Sequence, residues 1–277
     1  MMGLRHSSAG VLVYLWARRR AEYRPSWREW MYAVAAGAML FLVGHGVLAW
    51  AELKVPSGLA ALLCATLPLW TVLIAGITGI EKKLGARAWI GLLLGFAGVA
   101  ILIGPAAFRH SGGLDLWATL GALLSAFAWA AGTIFSKRVR MNPSPVLSAA
   151  MQMVAGGVWL LLASVVTGEA GHAQLANFSM RSVLALVYLT VFGSIIAFTV
   201  FTWLVTVATP SQVSTYAYVN PVVAVFIGWA IGGEALGTHT VLATLVIVSA
   251  VALVTRGKKE QKIEPVESRP CEEVRAA

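Results

Sequence analysis

Apolar residues along this chain fall into long runs that are separated by short polar loops. Eight runs reach or approach the roughly 20 apolar residues that a helix needs to cross a bilayer. They are Trp30–Ala51, Ser57–Ile80, Ala88–Phe108, Leu116–Ser136, Pro145–Thr167, Val183–Val207, Val213–Gly233 and Thr240–Thr255. A ninth and weaker run, Met1–Ala17, carries Arg5 and His6. The pattern predicts an all-α, polytopic membrane protein with nine membrane-spanning segments.

One stretch of the chain must contain a turn that no charged residue marks. Between Ser182 and Gly233 the sequence has no Asp, Glu, Lys or Arg. A helix that crosses a hydrocarbon core of about 30 Å, at about 1.5 Å per residue, contains far fewer residues than this stretch. We therefore predict that the chain reverses at Thr209-Pro210-Ser211, which divides the stretch into two spans.

The composition agrees with a membrane protein. Hydrophobic residues make up 58% of the chain and charged residues 12%, and the mean hydropathy is +0.78. Soluble domains average about 45–50% apolar and about 25% charged residues. The formal net charge of +9 comes largely from residues between the apolar runs, so we expect contact with the lipid bilayer and no binding of nucleic acid.

Cysteine and histidine usage gives no sign of a disulfide framework, a metal site or a cofactor. The two cysteines, Cys64 and Cys271, lie in an apolar run and in a polar tail, and they are too few to staple a fold. The five histidines are scattered without metal-ligand spacing. We therefore predict that the protein binds neither a metal nor a cofactor.

The basic residues of the loops predict how the segments are oriented. When nine segments alternate across the bilayer, one side collects seventeen lysines and arginines, and the other collects only Lys54, Arg109 and Arg181. Short cytoplasmic loops carry an excess of basic residues, so the richer side is predicted to be the cytoplasm. The prediction is a cell (inner or plasma) membrane protein with a cytoplasmic C-terminus and a disordered tail at 257–277.

The two halves of the chain repeat each other in sequence. Several residue types recur at a spacing of 153 positions, namely Trp50 with Trp203, Pro68 with Pro221, Gly79 with Gly232 and Glu81 with Glu234. At a spacing of 146, Ala9-Gly10 matches Ala155-Gly156, which pairs the weak first segment with the run that begins at Pro145. The second copy begins near Leu114 and holds five helices. Because an odd number of helices reverses the next copy, the pattern predicts two inverted-topology helical repeats.

Pro68 and Pro221 are predicted to bend two corresponding helices. Proline has no N–H, so inside a helix it leaves the carbonyl four residues earlier without its usual donor. Secondary transporters with inverted repeats place their midplane sites at such broken helices. Two interpretations remain open from the sequence: the prolines are hinges that line a cavity, or they are packing kinks, which membrane helices tolerate.

Three groups of motifs resemble those of a known transporter family. They are LRHSSAG ahead of an arginine-rich loop, PSGLAALLCATLPLWT with EKKLGARAWIGLLLGFAGVAILI, and YAYVNPVVAVFIGWAIGGEALG. In combination they make the whole chain resemble the EamA-type family of the drug/metabolite transporter superfamily. The resemblance implies two five-helix repeats, a central cavity framed by the first, third and fourth helices of each repeat, and export or exchange of small metabolites.

Relative to that family plan of five plus five helices, the chain shows about four plus five. The resemblance places Arg5 early in the second helix of the first repeat, so the front helix is not in this sequence. We expect the first repeat at 1–110 and the second at 113–256. The start is interpreted as mis-assigned or truncated, with a nine-helix variant as the alternative.

Polar and aromatic residues inside the spans are the candidates for contacting a solute. His45 is ionisable and lies in mid-span, so we expect it to face protein or a water-filled cavity, in a substrate or proton role or as a hydrogen-bond partner of a neighbouring helix. For the tryptophans at helix ends, anchoring at the membrane interface is the alternative; for the hydroxyls it is satisfaction of their own helix backbone. The candidate cavity-lining residues are His45, Trp50, Thr66, Pro68, Ser125, Trp129, Gln152, Trp203, Tyr216, Tyr218, Asn220 and Pro221.

Two further features are predicted to serve the fold. Gly91, Gly95 and Gly98 form a small-residue face that lets helices approach closely, within the chain or in a homodimer. Glu81 and Glu234 end corresponding helices beside loops, so a role in turn geometry is expected for both.

The leading functional hypothesis is a secondary transporter that exports or exchanges a small organic metabolite or drug by alternating access. An inactive truncated fragment or a helper membrane subunit is the first alternative. An intramembrane enzyme is disfavoured, because the sequence lacks paired carboxylates, a metal cluster or an activated nucleophile. We predict that the protein is not an enzyme, and exchange, facilitated efflux and proton coupling through His45 remain open.

Overall fold

The computed structural model describes residues 1–20, 23–55, 57–81, 85–103, 115–139, 144–172, 179–232 and 237–255. Within these ranges the chain is helical and has no β-strand. The helices are α1 (Met2–Arg20), α2 (Trp27–Glu52), α3 (Ser57–Cys64), α4 (Leu67–Ile77), α5 (Ala86–Ile103), α6 (Leu116–Val139), α7 (Pro145–Val166), α8 (Met180–Val207), α9 (Pro210–Ser214), α10 (Tyr216–Gly232) and α11 (Thr238–Thr255). The predicted disordered tail, the repeat boundary near Leu114 and Glu234 lie outside the described residues.

Five helical stretches are long and apolar enough to cross a membrane. They are α2, the stretch Leu59–Ile77 that joins α3 to α4, α6, α7 and α8. Two shorter apolar helices, Ala86–Leu102 and Thr240–Val254, lie within α5 and α11. The weak ninth run forms α1, whose sequence includes the charged Arg5. The chain is therefore a helical polytopic membrane protein, as the apolar pattern predicts.

Local sequence signals explain where several helices begin. At the start of α2, Ser26 and Glu29 form a capping box, in which the Ser26 N–H donates to the Glu29 carboxylate at 2.7 Å. At α9, Thr209 accepts a hydrogen bond from the Gln212 N–H at 3.4 Å, and Pro210 occupies the first turn. Such residues satisfy donors that a helix start leaves unpaired. The turn predicted at Thr209-Pro210-Ser211 is confirmed.

The two copies seen in the sequence have corresponding helix boundaries. Helices α2 and α8 begin at Trp27 and Met180, and α3 and α9 begin at Ser57 and Pro210, so both pairs keep the spacing of 153 positions. Both long helices contain a π-helical segment, Ala38–Val47 in α2 and Leu189–Ile196 in α8. Corresponding helices also pack on each other, α1 along α7 and α5 along α11, which is compatible with a pseudo-two-fold axis between the repeats.

The interruptions in the proline-containing spans do not coincide with the prolines. In the first copy, α3 ends before a turn at Ala65 and Thr66, and Pro68 lies in the first turn of α4. A missing N–H is harmless there, because the first N–H groups of a helix have no intrahelical partner. In the second copy the interruption is at Thr215, and Pro221 lies inside α10. Pro68 thus starts a new helix, which differs from the expectation of a proline bending a continuous one.

Glycines allow close helix contacts at the two interfaces between corresponding helices. A Cβ built on Gly157 of α7 would lie 2.5 Å from the backbone nitrogen of Ser7 in α1. On α5, a Cβ on Gly95 would lie 2.6 Å from Cδ2 of Tyr218. Gly91 and Gly98 on the same face lie against residues of α11. The predicted small-residue face of α5 therefore serves packing within the chain.

Polar contacts join the two copies at one end of the bundle. The Glu81 carboxylate accepts hydrogen bonds from the hydroxyl of Ser211, at 2.6 Å, and from its N–H, at 3.3 Å. Within the second copy, the Lys137 ammonium donates to the carbonyls of Val205 and Ala208, at 2.8 and 2.5 Å, and it lies close enough to interact with the charge of Glu81. We call Glu81, Ser211 and Lys137 the latch. The structural role predicted for Glu81 stays a prediction, and the latch contact gives it a physical basis.

An ion pair lies at the other end of the bundle from the latch. Lys54 precedes α3 and Glu81 follows α4, so these two helices separate the two ends. Lys54 and Asp115 approach to 3.5 Å between nitrogen and oxygen. The N–H of Ala118 donates to the Asp115 carboxylate at 3.0 Å, which caps α6. This hydrogen bond holds the pKa of Asp115 below its ordinary value. Each end of the bundle therefore has its own polar contact between loops.

Candidate functional site

A central cavity of about 410 Å³ lies between helices of both copies. Its walls come from α2, α3 and α4 of the first copy and from α6 and α10 of the second. Half of the residues predicted to contact a solute line it, namely His45, Ser125, Trp129, Tyr216, Asn220 and Pro221. The fold thus brings together residues that are far apart in sequence and come from three helices.

Both paired prolines affect the backbone at the central cavity. Pro68 and Pro221 have no N–H to donate to the carbonyls four residues earlier, which belong to Cys64 and Ala217. Cys64 and Ala217 correspond at the spacing of 153 positions, and both line the central cavity. Pro221 therefore leaves the Ala217 carbonyl without its usual helical donor, and the Cys64 carbonyl lacks one because α3 ends at Cys64.

The π-helical segment of α2 shapes the wall around His45. Ser125 of α6 donates its hydroxyl to the Gly44 carbonyl at 2.5 Å. The imidazole of His45 lies 4.6 Å from a ring of Trp129, centroid to centroid. Gly44 allows this approach, since a Cβ there would lie 3.0 Å from the Trp129 ring. The segment holds His45 and Trp129 side by side, and π-helical turns often occur at functional sites.

A second cavity, of about 530 Å³, shares part of its lining with the central cavity. His45, Trp129, Tyr216 and Asn220 line both cavities. The Trp129 indole N–H is buried near the Tyr216 hydroxyl and has no hydrogen-bond partner of ordinary geometry among the described residues. We call these four shared side chains the partition. They offer hydrogen-bond donors and acceptors to both cavities.

Arg5, His6 and Ser194 extend this partition as a chain of hydrogen bonds. The Arg5 Nε donates to the Ser194 hydroxyl oxygen at 2.8 Å, and this oxygen lies 3.3 Å from Nδ1 of His6. The other His6 nitrogen, Nε2, lies 3.3 Å from Nδ1 of His45. Arg5 and His6 line the second cavity, and His6 and Ser194 are fully buried. These hydrogen bonds link α1 and α8 to the cavity wall on α2.

Sequence reasoning did not select Arg5, His6 or Ser194 as site residues. The repeat gives a weak indication for His6. At the spacing of 146, His6 of α1 corresponds to Gln152 of α7, which is one of the predicted cavity-lining residues. Ser194 gave no signal, because one serine in an apolar run is common. Only the packing of α1 against α8 brings the three side chains together.

The structure places the other predicted residues elsewhere. Thr66 donates its hydroxyl to the Leu63 carbonyl, and Tyr218 is buried with its hydroxyl on the Leu92 carbonyl. Gln152 and Pro68 are buried in α7 and α4, whereas the indoles at helix ends are exposed. These six are Trp50, Thr66, Pro68, Gln152, Trp203 and Tyr218.

Among the described residues, no three His, Cys, Asp or Glu side chains are grouped in a way that could hold a metal ion. The two neighbouring imidazoles, His6 and His45, have no carboxylate or thiol completing such a set within those ranges. The chemistry that the described site offers is therefore hydrogen bonding and charge from Arg5.

Comparison with known proteins gives consistent relatives over most of the chain. The model of the EamA-like transporter family matches residues 1–104 and 116–256. The uncharacterized inner membrane transporter YedA of Escherichia coli (strain K12) is 37% identical over 270 residues, which is 96% of this chain and 84% of YedA. The uncharacterized transporter YvbV of Bacillus subtilis is 25% identical over 260 residues, 94% of this chain and 83% of YvbV. A solved crystal structure aligns with a TM-score of 0.74 at 21% identity, covering 92% of this chain and 86% of the other, which shows a shared fold.

Proposed function

The chain belongs to the EamA-like transporter family of the drug/metabolite transporter superfamily, and we propose that it exports or exchanges a small organic solute across the cell membrane by alternating access. The family and the named relatives are transporters, which supports a membrane transporter rather than an enzyme. The solute binds in the central cavity, between the two copies. Rocking of one copy against the other opens this cavity to one side of the membrane and then to the other.

One observation carries the proposal: the corresponding residues Cys64, at the end of α3, and Ala217, four residues before Pro221, both line the central cavity, so each copy has a helix irregularity there. Inverted-repeat transporters bind their solutes near the midplane, at broken helices. A volume of about 410 Å³ is in the range of small-molecule sites. His45, Trp129 and Asn220 supply the few polar groups that orient a solute.

Flux measurements test the proposal directly. The purified protein, reconstituted into liposomes, is expected to exchange internal for external solute for at least one compound in a panel of amino acids, nucleosides and amphiphilic drugs. Protein-free liposomes and liposomes with heat-denatured protein give the background. If no compound in the panel is transported or bound, the proposal is contradicted.

The central cavity contains a native probe of solute binding. Cys64 lines it, and a Cys271→Ser variant leaves Cys64 as the single cysteine of the chain. We expect a transported solute to slow alkylation of Cys64 by a maleimide several-fold in this variant. Equal alkylation rates with and without a transported solute would place the solute outside the central cavity.

The orientation in the membrane is part of the proposal. The latch residues Glu81, Lys137 and Ser211 lie at or beside the segment ends that alternate to the basic side, and Lys54 and Asp115 lie beside segment ends on the other side. The structure groups each set at its own end. This agreement supports a cytoplasmic latch and a cytoplasmic C-terminus.

Removing the latch carboxylate is expected to open the cytoplasmic side. Glu81→Ala deletes two hydrogen bonds to Ser211, and bonds to a charged group contribute about 1.5–3 kcal/mol each. The population open to the cytoplasm should rise about tenfold or more, since about 1.4 kcal/mol is a factor of ten. In the Cys271→Ser background, Cys64 should then react faster with an impermeant thiol reagent applied from the cytoplasmic side.

The exposed glutamate Glu169 offers a matched control for Glu81. Glu169→Ala makes the same change of charge outside the latch, and we expect it to leave Cys64 labelling unchanged. Equal labelling from the cytoplasmic side in Glu81→Ala and in the parent protein would mean that the latch does not close this side.

A further inference from the structure

Arg5 lies well inside the bundle. In α1, Gly3 packs against Leu161 of α7, and Ser7 packs against Gly157. Arg5 is therefore level with a point on α7 about seven residues before its end at Val166, or roughly 10 Å at 1.5 Å per residue. A charged side chain at this depth is costly in a membrane protein and normally faces a cavity or a partner.

Within the described ranges, Arg5 has no carboxylate partner. Its Nε donates to Ser194, and neither a further side-chain hydrogen bond nor an ion pair of the guanidinium is present in those parts of the chain. The terminal nitrogen Nη2 would lie 3.3 Å from a Cβ on Gly193, so this glycine leaves room for it. Arg5 lines the second cavity, and its terminal N–H groups remain to be satisfied there.

The donor and acceptor roles in the hydrogen bonds from Arg5 to His45 follow one another in a fixed order. A guanidinium can only donate, so Ser194 accepts from Arg5. The buried Ser194 hydroxyl then has one acceptor among its described neighbours, Nδ1 of His6. With Nδ1 accepting, neutral His6 carries its proton on Nε2 and donates it to His45. His45 accepts on Nδ1, so its own proton is on Nε2.

This direction leaves the partition rich in donors. His45, which lines both cavities, then has an Nε2–H with no hydrogen-bond partner among the described residues, and the buried Trp129 indole N–H lies near the Tyr216 hydroxyl. The guanidinium of Arg5 adds the positive charge. Donors that converge with a positive charge are complementary to an anionic oxygen group. In the part of the protein that the structure describes, the other charged or titratable groups lining this cavity are His6 and the Tyr216 hydroxyl.

We infer that the transported solute carries an anionic oxygen group, such as a carboxylate, which binds between Arg5 and His45 at the second cavity while the rest of the solute lies past His45 in the central cavity. Ser194 and His6 are then positioning residues that hold His45 as a donor. This inference rests on the proposed function. It adds the chemical class of the solute, and it assigns to Arg5 the role of pairing with the negative charge of the solute.

Matched acid and amide probes test the charge requirement. Binding of phenylacetate and phenylacetamide, and of butanoate and butanamide, is measured by calorimetry on the purified protein in detergent. Each pair has nearly the same shape, so we expect the acid to bind about tenfold or more tightly than its amide. Equal affinities, or no binding of either acid, would overturn the inference.

Variants of Arg5 locate the effect. Arg5→Gln should remove most of the preference for the acid over its amide, and Arg5→Lys should keep part of the preference because it keeps the charge. Arg19→Gln makes the same charge change at the exposed end of the same helix and should match the parent protein. If Arg5→Gln retains the full preference, the anionic group does not bind at Arg5.

The positioning role has its own spectroscopic readout. In protein with ¹⁵N-labelled histidine, the imidazole nitrogen shifts distinguish a protonated from an unprotonated nitrogen, and the His45→Asn variant identifies the His45 signals. We expect His45 with Nε2 protonated, and a mixture of tautomers in a folded Ser194→Ala variant. A His45 protonated on Nδ1 in the parent protein would contradict the direction of the chain.

These tests separate the two proposals. Acid binding that depends on Arg5, without flux of any solute, would contradict the transport function and leave the binding inference intact. Transport of solutes that have no anionic group, with no competition by the acids, would contradict the inference and leave the transport function intact.

Discussion

Gly157→Val is expected to prevent stable folding. Gly157 lies where α7 meets α1, and even a Cβ would lie 2.5 Å from the backbone nitrogen of Ser7. A backbone atom cannot move aside as a flexible side chain can, so the helices must separate. Overpacking of a close contact typically costs 1–3 kcal/mol and occasionally more, and a valine against backbone should cost about 3 kcal/mol. We expect aggregation or a thermal midpoint many degrees lower for the purified protein.

Separation of α1 from α7 should also disturb the candidate binding site, because α1 carries Arg5 and His6. If α1 moves away from α7, these side chains leave Ser194 and His45, so any Gly157→Val protein that folds should lose the acid preference as well. Gly76→Val is the matched control, since nothing lies within 4 Å of a Cβ on Gly76. A thermal midpoint for Gly157→Val equal to that of Gly76→Val would mean that the α1–α7 interface is looser than this contact implies.

His45→Phe is expected to reduce transport by about tenfold to a hundredfold in kcat/KM. Phenylalanine keeps an aromatic ring against Phe41 and Trp129, whose rings lie 5.6 and 4.6 Å from the imidazole. It removes the hydrogen bond to His6 and the free donor toward the cavities. A lost hydrogen bond to a charged group is worth about 1.5–3 kcal/mol. The measurement is the initial rate of exchange for whichever solute the liposome panel identifies.

A conservative variant distinguishes hydrogen bonding from packing at this position. His45→Gln keeps an N–H donor and should recover part of the rate that His45→Phe loses. Trp229→Phe changes an exposed aromatic residue of α10 and should transport like the parent protein. If His45→Phe transports normally, the free donor of His45 has no role in solute recognition.

The helices themselves could be predicted with good accuracy from the sequence. Hydrophobic runs, the loop at Thr209 and the repeat of 153 positions each follow from residue type and spacing, and the structure has a helix at every predicted run within its described ranges. This success has a physical basis, because a segment in hydrocarbon must satisfy its own backbone and a helix does so locally. The interruption at Ala65 and Thr66 was less accessible, because Pro68 suggested a later position.

The candidate site was predictable only in part. His45, Trp129 and Asn220 are unusual in apolar spans, and this rarity led to their selection before their contacts were known. Tyr218 is equally unusual, yet it packs over Gly95 and bonds to the Leu92 carbonyl. Residue type alone does not separate a tyrosine that lines a cavity from one that fills a gap between helices. The difference depends on which face of α10 meets α5.

The sequence by itself determined the membrane setting, the helical class and the repeated halves, which follow from composition and spacing. Its motifs resemble the EamA-type family, which the comparison shows. Tertiary structure decided that Cys64 and Ala217 share a cavity wall, and that Arg5 reaches His45 through Ser194 and His6. The side chains of this hydrogen-bond network come from α1, α2 and α8, so no local sequence pattern encodes their contact. Their geometry is set by close helix approach at glycines, which depends on all partners at once.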